Sequence, residues 1–221
     1  MEAVWEFRHP PTKAFSLVPG RLAANLKDDY PDSTETELAR FAPVFQPPPE
    51  AGILITHQFK SADGSRLVQL GPSGISVNWL KYLGFAGFRS AVGHITTQYF
   101  GATGVLDCAR LGLRYINRMP APVPDPFDGL AVRIEWPNLP GASAASAVSR
   151  GLFTFSNPDG ELAVVVASPL EAKLTLDLDY SSQPGRTMSV DEILGWSDIA
   201  HDRSYKAFRA LVKDGLFDSW R

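Results

Sequence analysis

The chain has little of the chemistry that stabilises disulfide-rich or metal-dependent folds. It contains one cysteine and four histidines in 221 residues. The lone thiol, Cys108, cannot form an internal disulfide, and no Cys and His residues have the spacing of a structural zinc site. The sequence therefore predicts a fold without a disulfide, a metal or another cofactor, and a cytoplasmic location is the simplest interpretation.

Long apolar runs are also missing. Residues 1–8 include an early acid, Glu2, and lack the uninterrupted apolar run of a signal peptide. No later stretch approaches the roughly 18 consecutive apolar residues of a membrane-spanning helix. The sequence predicts a soluble protein with no membrane association.

The chain has no excess of positive charge, because its formal net charge is −3. Binding of nucleic acid through overall electrostatics needs a basic surface that releases counterions, so this charge argues against it. Contact with nucleic acid would have to use a local basic strip.

Catalytic signatures are absent as well. The sequence has no Gly-x-Gly-x-x-Gly turn, no Gly-Lys-Ser/Thr phosphate loop, no Gly-x-Ser-x-Gly and no His-Glu-x-x-His. His201, Asp202 and Ser204 could suggest a triad, but neighbouring residues on a helix point in different directions, which favours a helix-packing or surface role. No catalytic residue is predicted, and a non-enzymatic function is favoured.

The periodicity of the apolar residues predicts the order of elements. Strand patterns occur at 2–8, 53–59, 66–70, 75–80, 106–118, 130–136, 151–155, 161–167 and 170–180. Helical spacing occurs at 19–29, 85–100 and 190–216. Ser189 and Glu192 form a capping-box pattern at the start of the last helix, which we expect to be continuous or to break near Ser197. The proline-rich stretch 32–52 is predicted to be irregular.

This order of elements predicts an α+β fold, and the composition, with 44% hydrophobic and 20% charged residues, is typical of a folded protein. We expect a curved antiparallel sheet with helices on one face and a long C-terminal helix, a helix-grip-like arrangement. The length fits a single domain, 1–221. The alternative is two small α+β halves, 1–119 and 127–221, separated by the stiff proline-rich connector.

Three arginines recur four residues apart in the predicted strand 106–118, at Arg110, Arg114 and Arg118. Side chains two positions apart share one face of a strand, so the three guanidinium groups form a row. Such a row suits a carboxylate or a phosphate. We take these arginines, with the intervening Tyr115 and Asn117, as candidate ligand-binding residues.

An acidic neighbouring strand is the alternative partner for this row. Glu135, or Asp177 together with Asp179, could pair with the arginines across the sheet, which is a common arrangement of small energetic weight. Glu171 with the same two aspartates could also suggest a site for a divalent ion. Alternating acids are more typical of a solvated sheet face, so no metal ligand is predicted.

Several segments resemble a sporadically distributed family of uncharacterised prokaryotic proteins of similar length. They are Gly74-Ile-Ser-Val-Asn-Trp79 with Tyr82, Leu113-Arg-Tyr-Ile-Asn-Arg118, 174–179 and His201-Asp-Arg-Ser-Tyr-Lys-Ala-Phe208. The most specific piece is Arg114-Tyr-Ile-Asn-Arg118. The Tyr-Pro pair usual after the Asn-Trp strand is absent, because Leu83 follows Tyr82. The resemblance implies an association with mobile elements or defence genes, and it transfers no catalytic residues.

Three functional hypotheses follow from these observations. The first is a binding or accessory protein whose sheet face, or sheet–helix cleft, holds a small anionic ligand or an unidentified protein partner through the arginine row. The second is a hydrolase or nuclease with Arg114 as an electrostatic clamp and Asp179 as base or metal ligand. The third is a structural subunit of a larger complex, suggested by the proline-rich loops and the terminal Trp220. The oligomeric state stays open.

Overall fold

The computed structural model describes residues 1–11, 13–40, 54–104, 107–120, 127–131, 147–156, 159–168 and 173–220. Within these ranges the strands are β1 (Glu2–Arg8), β2 (Asp32–Arg40), β3 (Leu54–Lys60), β4 (Arg66–Gly71), β5 (Gly74–Trp79), β6 (Asp107–Cys108), β7 (Arg110–Pro120), β8 (Ala147–Ser156), β9 (Asp159–Ser168), β10 (Lys173–Ser182) and β11 (Arg186–Thr187). The helices are α1 (Val18–Leu26), α2 (Phe85–Thr103), α3 (Val190–Leu211) and α4 (Asp214–Trp220), and a 3-10 helix spans Lys13–Leu17.

Nine strands form one antiparallel sheet in the order β2-β3-β4-β5-β1-β7-β10-β9-β8. Strand β1 pairs with β5 on one side and with β7 on the other, so the two halves of the chain share this sheet. Strands β6 and β11 form a separate two-stranded ladder. The predicted α+β fold with a large antiparallel sheet and a C-terminal helix is confirmed.

The helices cover one face of the sheet, and the apolar core lies between them. Trp5 pairs with Leu113 of β7, which pairs with Tyr180 of β10, and this register places their side chains on the same face. Tyr180 packs against Trp196 of α3, and Phe7 packs against the α2 ring of Phe100. The alternation of side chains therefore leaves the even-numbered residues of β1 and β7 on the opposite face.

Helix α3 begins as the sequence predicts. The Ser189 side chain accepts a hydrogen bond from the backbone of Glu192, whose carboxylate accepts one from the backbone of Ser189. The helix continues through Ser197 without a break. It ends at Leu211, short of the predicted residue 216. Val212 then has an extended backbone and forms an isolated bridge with Leu130.

The predicted irregular stretch 32–52 was wrong in its first part. The first nine residues of the stretch 32–52 form β2, which pairs with β3 from Asp32 opposite Lys60 to Glu35 opposite His57, then shifts its register. The prolines of that stretch begin only at Pro43, so nothing in residues 32–40 prevents strand pairing. Residues 41–52, like 132–136 of a predicted strand, lie outside the described residues.

Candidate functional site

The arginine row lies where the sequence predicts it, on the face of β7 that points away from the helices. Arg114 makes two hydrogen bonds to the Asp177 carboxylate, of 2.8 and 2.5 Å. Arg110 donates to both carboxylate oxygens of Asp179, at 3.3 and 3.1 Å. Cross-strand pairing with the acids of β10 is thus present, while Glu135 lies outside the described residues.

Strand β1 supplies further acids on the other side of β7. Arg110 also donates to Glu6, and Arg118 donates to Glu2. Sequence reasoning missed these two partners, although the alternation of Glu2, Glu6 and Arg8 along β1 already placed them on one face. Each arginine of the row consequently has at least one carboxylate partner.

Burial separates the members of the row. The Arg114 and Asp177 side chains are only 8% and 7% exposed, whereas Arg118 is 46% exposed. Burial alone would lower the pKa of Arg114, but its hydrogen bonds to Asp177 and the nearby carboxylate charges outweigh burial and raise that pKa. Arg114 is therefore a charged group fixed inside the sheet surface by a bidentate pair.

A cleft of about 400 Å³ lies on this face, and we call it the charged cleft. Its charged lining residues are Glu6, Arg8, Arg110, Arg114, Arg150, Glu161 and Asp179. Positive and negative side chains are nearly balanced there, and Arg8 also pairs with Glu6 at 2.8 Å. In the described part of the chain, Arg150 and Glu161 make no ion pair.

The other two predicted site residues face the opposite side of the sheet. Tyr115 and Asn117 point toward α3, because they alternate with the arginines along β7. The Tyr115 hydroxyl lies 2.9 Å from Nδ1 of His201. The His201 ring in turn stacks on Phe85, with centroids 3.9 Å apart and planes at 9°. The structure thus divides the five predicted residues between two separate sites.

Tyr115 and Asn117 line a second cleft of about 370 Å³ between the sheet and the helices, which we call the apolar cleft. Its lining residues are Met1, Tyr82, Gly84, Phe85, Tyr115, Asn117, Leu178, His201, Ser204, Tyr205, Phe208 and Phe217. Among the described residues, no Asp, Glu, Lys or Arg side chain lines it. The apolar cleft is aromatic on several sides and uncharged in its side chains.

Asn117 and Ser204 are among the buried polar groups of this cleft that lack a hydrogen-bond partner. Asn117 and Ser204 are each 1% exposed. The Asn117 Nδ2 donates to the backbone oxygen of Leu176 at 3.1 Å, but no donor in the described chain reaches its Oδ1, and the Ser204 hydroxyl is likewise unpartnered. Buried polar atoms are almost always satisfied, so Asn117 Oδ1 and Ser204 Oγ are exceptions to the usual pattern.

Three side chains of the apolar cleft, those of His201, Tyr82 and Tyr115, are neutral near pH 7. Burial lowers the pKa of His201, an effect that the charges of Asp202 and Asp198 only partly offset. Burial raises the pKa of Tyr115 and of Tyr82. The histidine and both tyrosines therefore act as neutral hydrogen-bonding groups.

The sequence carried a signal for this cleft that was not used. His201, Ser204, Tyr205 and Phe208 recur at three- and four-residue spacing and so share one face of α3. Their neighbour Asp202 leaves that face and pairs with Lys206 at 2.7 Å. His201 and Ser204 thus belong to one site, but without the acid that a triad would need.

No cluster of three or more His, Cys, Asp or Glu residues within the described ranges could hold a metal ion, and Glu171 lies outside those ranges. Helices of the described chain are too short or too polar to cross a membrane. Comparisons with protein-family models, with curated proteins and with solved structures found no match to this chain.

Proposed function

We propose that this protein is a binding protein that holds a small, largely apolar molecule in the apolar cleft. The observation that carries the proposal is the pair of unpartnered buried polar groups, Asn117 Oδ1 and Ser204 Oγ, in a cavity of about 370 Å³. Ligand sites are typically apolar clefts of roughly 300–1,000 Å³ with a few convergent polar groups. The cleft has this composition and lies at the small end of this size range.

The cost of the unpartnered polar groups supports the same proposal. Each buried polar group without a partner costs about 1–3 kcal/mol. A ligand that occupies the cleft and pairs with Asn117 and Ser204 would recover that cost.

The arginine row supports a second, weaker candidate, which is an acidic ligand or partner bound at the charged cleft. The specific observation in its favour is that Arg150 lines this cleft without an ion pair in the described chain. Because Arg110 and Arg114 already bind carboxylates, an added anion would have to compete with Asp179 and Asp177. The apolar cleft faces no such competition, and we therefore prefer it.

A fragment screen read by thermal shift and by ligand-observed NMR tests the main proposal. Cleft ligands at about 100 times their Kd should raise the Tm of the wild-type protein by roughly 5–10 °C. Ser204→Leu fills the cleft and should abolish binding and the thermal shift. The matched control, Arg118→Met, lies on the opposite face and should bind every hit as the wild type does.

The screen has two outcomes that would contradict the main proposal. One is a screen without a hit. The other is a set of hits that bind the wild type and Ser204→Leu equally well, because the ligands would then occupy another site. Hits that are lost in an Arg150→Met variant would instead support the charged cleft.

A further inference from the structure

We infer that the apolar cleft selects an uncharged ligand that donates a hydrogen bond to Asn117, such as a phenol, an alcohol or an N–H heterocycle. This inference rests on the proposed function, because it specifies what the same cleft would bind. It depends on the orientation of one side-chain amide and on the charges around the cleft.

The orientation of the Asn117 amide is fixed by strand β10. Its Nδ2 donates to the Leu176 backbone oxygen at 3.1 Å. The reversed amide would place the side-chain oxygen against that carbonyl oxygen, and two acceptors cannot form a hydrogen bond. Oδ1 is therefore the free atom, and it can only accept. A complementary ligand must supply the N–H or O–H group.

The Ser204 hydroxyl does not require the ligand to be either a hydrogen-bond donor or an acceptor. The Ser204 hydroxyl can donate or accept, so it tolerates either kind of ligand atom. It lies three residues after His201 on the same helix, and both residues line the cleft with Asn117. Asn117 is thus the group that decides between a donor and an acceptor at the ligand's polar end.

The absence of charge in the lining excludes ions. The described lining residues include no carboxylate, ammonium or guanidinium side chain, and His201 is neutral because burial opposes its protonation. A charged ligand would leave water without gaining a counterion from a lining side chain, which is far more costly than the transfer of a neutral polar group. The aromatic walls, among them Phe85 and Tyr115, favour a flat ring as the apolar part.

Three probes of nearly the same shape test the inference by titration calorimetry or NMR. Indole has an N–H donor, benzofuran carries a ring oxygen in its place, and indole-2-carboxylate adds a negative charge. The wild-type protein should bind indole at least about tenfold more tightly than either of the other two. Asn117→Leu should bind indole and benzofuran with equal affinity, whereas Ser204→Ala should keep the preference for indole.

The comparison of probes on the wild-type protein needs no variant, so it holds even if Asn117→Leu fails to fold. Equal binding of indole and benzofuran would contradict the requirement for a hydrogen-bond donor on the ligand. Tight binding of indole-2-carboxylate would contradict the preference for an uncharged ligand. Failure of all three probes overturns the inference too. After any of these three results, the proposed function still stands if the fragment screen gives hits that Ser204→Leu removes. If the screen gives no hits, the proposed function is contradicted together with the inference.

Discussion

The two faces of strand β7 differ in how fully their polar groups are satisfied. On the charged face, Arg110, Arg114 and Arg118 all have carboxylate partners from neighbouring strands. On the helix-covered face, no described Asp, Glu, Lys or Arg side chain lines the apolar cleft, but Asn117 and Ser204 each bury a polar atom without a partner. A dense row of charges is therefore the less available of the two surfaces. Binding capacity depends on unsatisfied groups rather than on the number of charged ones.

The contrast is sharpest at Arg114, because it is buried and its partner is buried with it. Arg114→Met should lower the free energy of unfolding by about 3–5 kcal/mol, since it leaves the Asp177 carboxylate buried without a counterion. Urea denaturation measures this loss. Arg118→Met is the matched control, and its loss should not exceed about 1 kcal/mol because the pair with Glu2 is exposed.

A double variant separates the cost of the unpaired Asp177 carboxylate from the loss of the Arg114 side chain itself. Arg114→Met combined with Asp177→Leu removes both buried charges, and it should recover most of the stability that the single change loses. If Arg114→Met alone costs less than about 1 kcal/mol, the buried pair is not structural. Arg114 would then be available to a ligand, and the comparison between the two faces would no longer hold.

Gly112 tests the packing of the charged face. A Cβ atom at this position would overlap Nη1 of Arg110, so Gly112→Ala must displace the guanidinium from Glu6 and Asp179. We expect a loss of about 1–2 kcal/mol, measured by denaturation. Gly195→Ala is the control, because an added Cβ in α3 meets nothing within 4 Å and should stabilise the helix by about 0.5–1 kcal/mol. The same sign for both changes would contradict this account.

Ser204 tests the apolar face in the absence of ligand. Ser204→Leu replaces an unpartnered hydroxyl with apolar atoms that fill the cleft, so the free energy of unfolding should rise by about 1 kcal/mol. Ser197→Leu is the contrasting change on the same helix, because the Ser197 hydroxyl donates to the Ile193 oxygen at 2.9 Å. It should cost about 1–3 kcal/mol by overpacking. A loss of stability in Ser204→Leu similar to that in Ser197→Leu would show that the cleft has no room.

The last effect expected is a pH dependence from the helix-covered face. Burial lowers the pKa of His201 and of His9 below the ordinary value of 6.5. The unfolded chain therefore binds more protons below pH 6.5, and stability should fall as the pH drops from 7 to 5. Each histidine contributes at most about 1.4 kcal/mol per pH unit. Denaturation at several pH values should show a shallower slope for His201→Gln, and an unchanged slope would exclude His201 as a source.

Local periodicity predicts much of this fold, and contacts distant in sequence supply the rest. The alternation in β7 and β10 was sufficient to place Arg114 and Asp177 on one face of each strand. It could not set the register between the strands, which depends on how the sheet assembles. Strand β2 was missed because its pairing with β3 decides its conformation more than its own residues do.

The apolar cleft as a whole could not be predicted, because it too depends on contacts between residues distant in sequence. Tyr115 and His201 meet although they lie 86 residues apart, and their contact depends on where α3 docks across the sheet. The face of α3 that carries His201 and Ser204 could be identified from its spacing. The unpartnered oxygen of Asn117 could not, because its amide is oriented by a backbone oxygen of another strand.

Strand β1 is synthesised first but lies in the middle of the sheet, so one of its two neighbouring strands is synthesised much later. Ala3, Trp5 and Phe7 are fully buried, and their strand needs β5 on one edge and β7 on the other. Translation at about 5–20 residues per second separates β1 from the end of β7 by roughly 5–20 s. Throughout that interval the edge of β1 that later pairs with β7 has no strand beside it, and unpaired strand edges make an incomplete chain prone to aggregation.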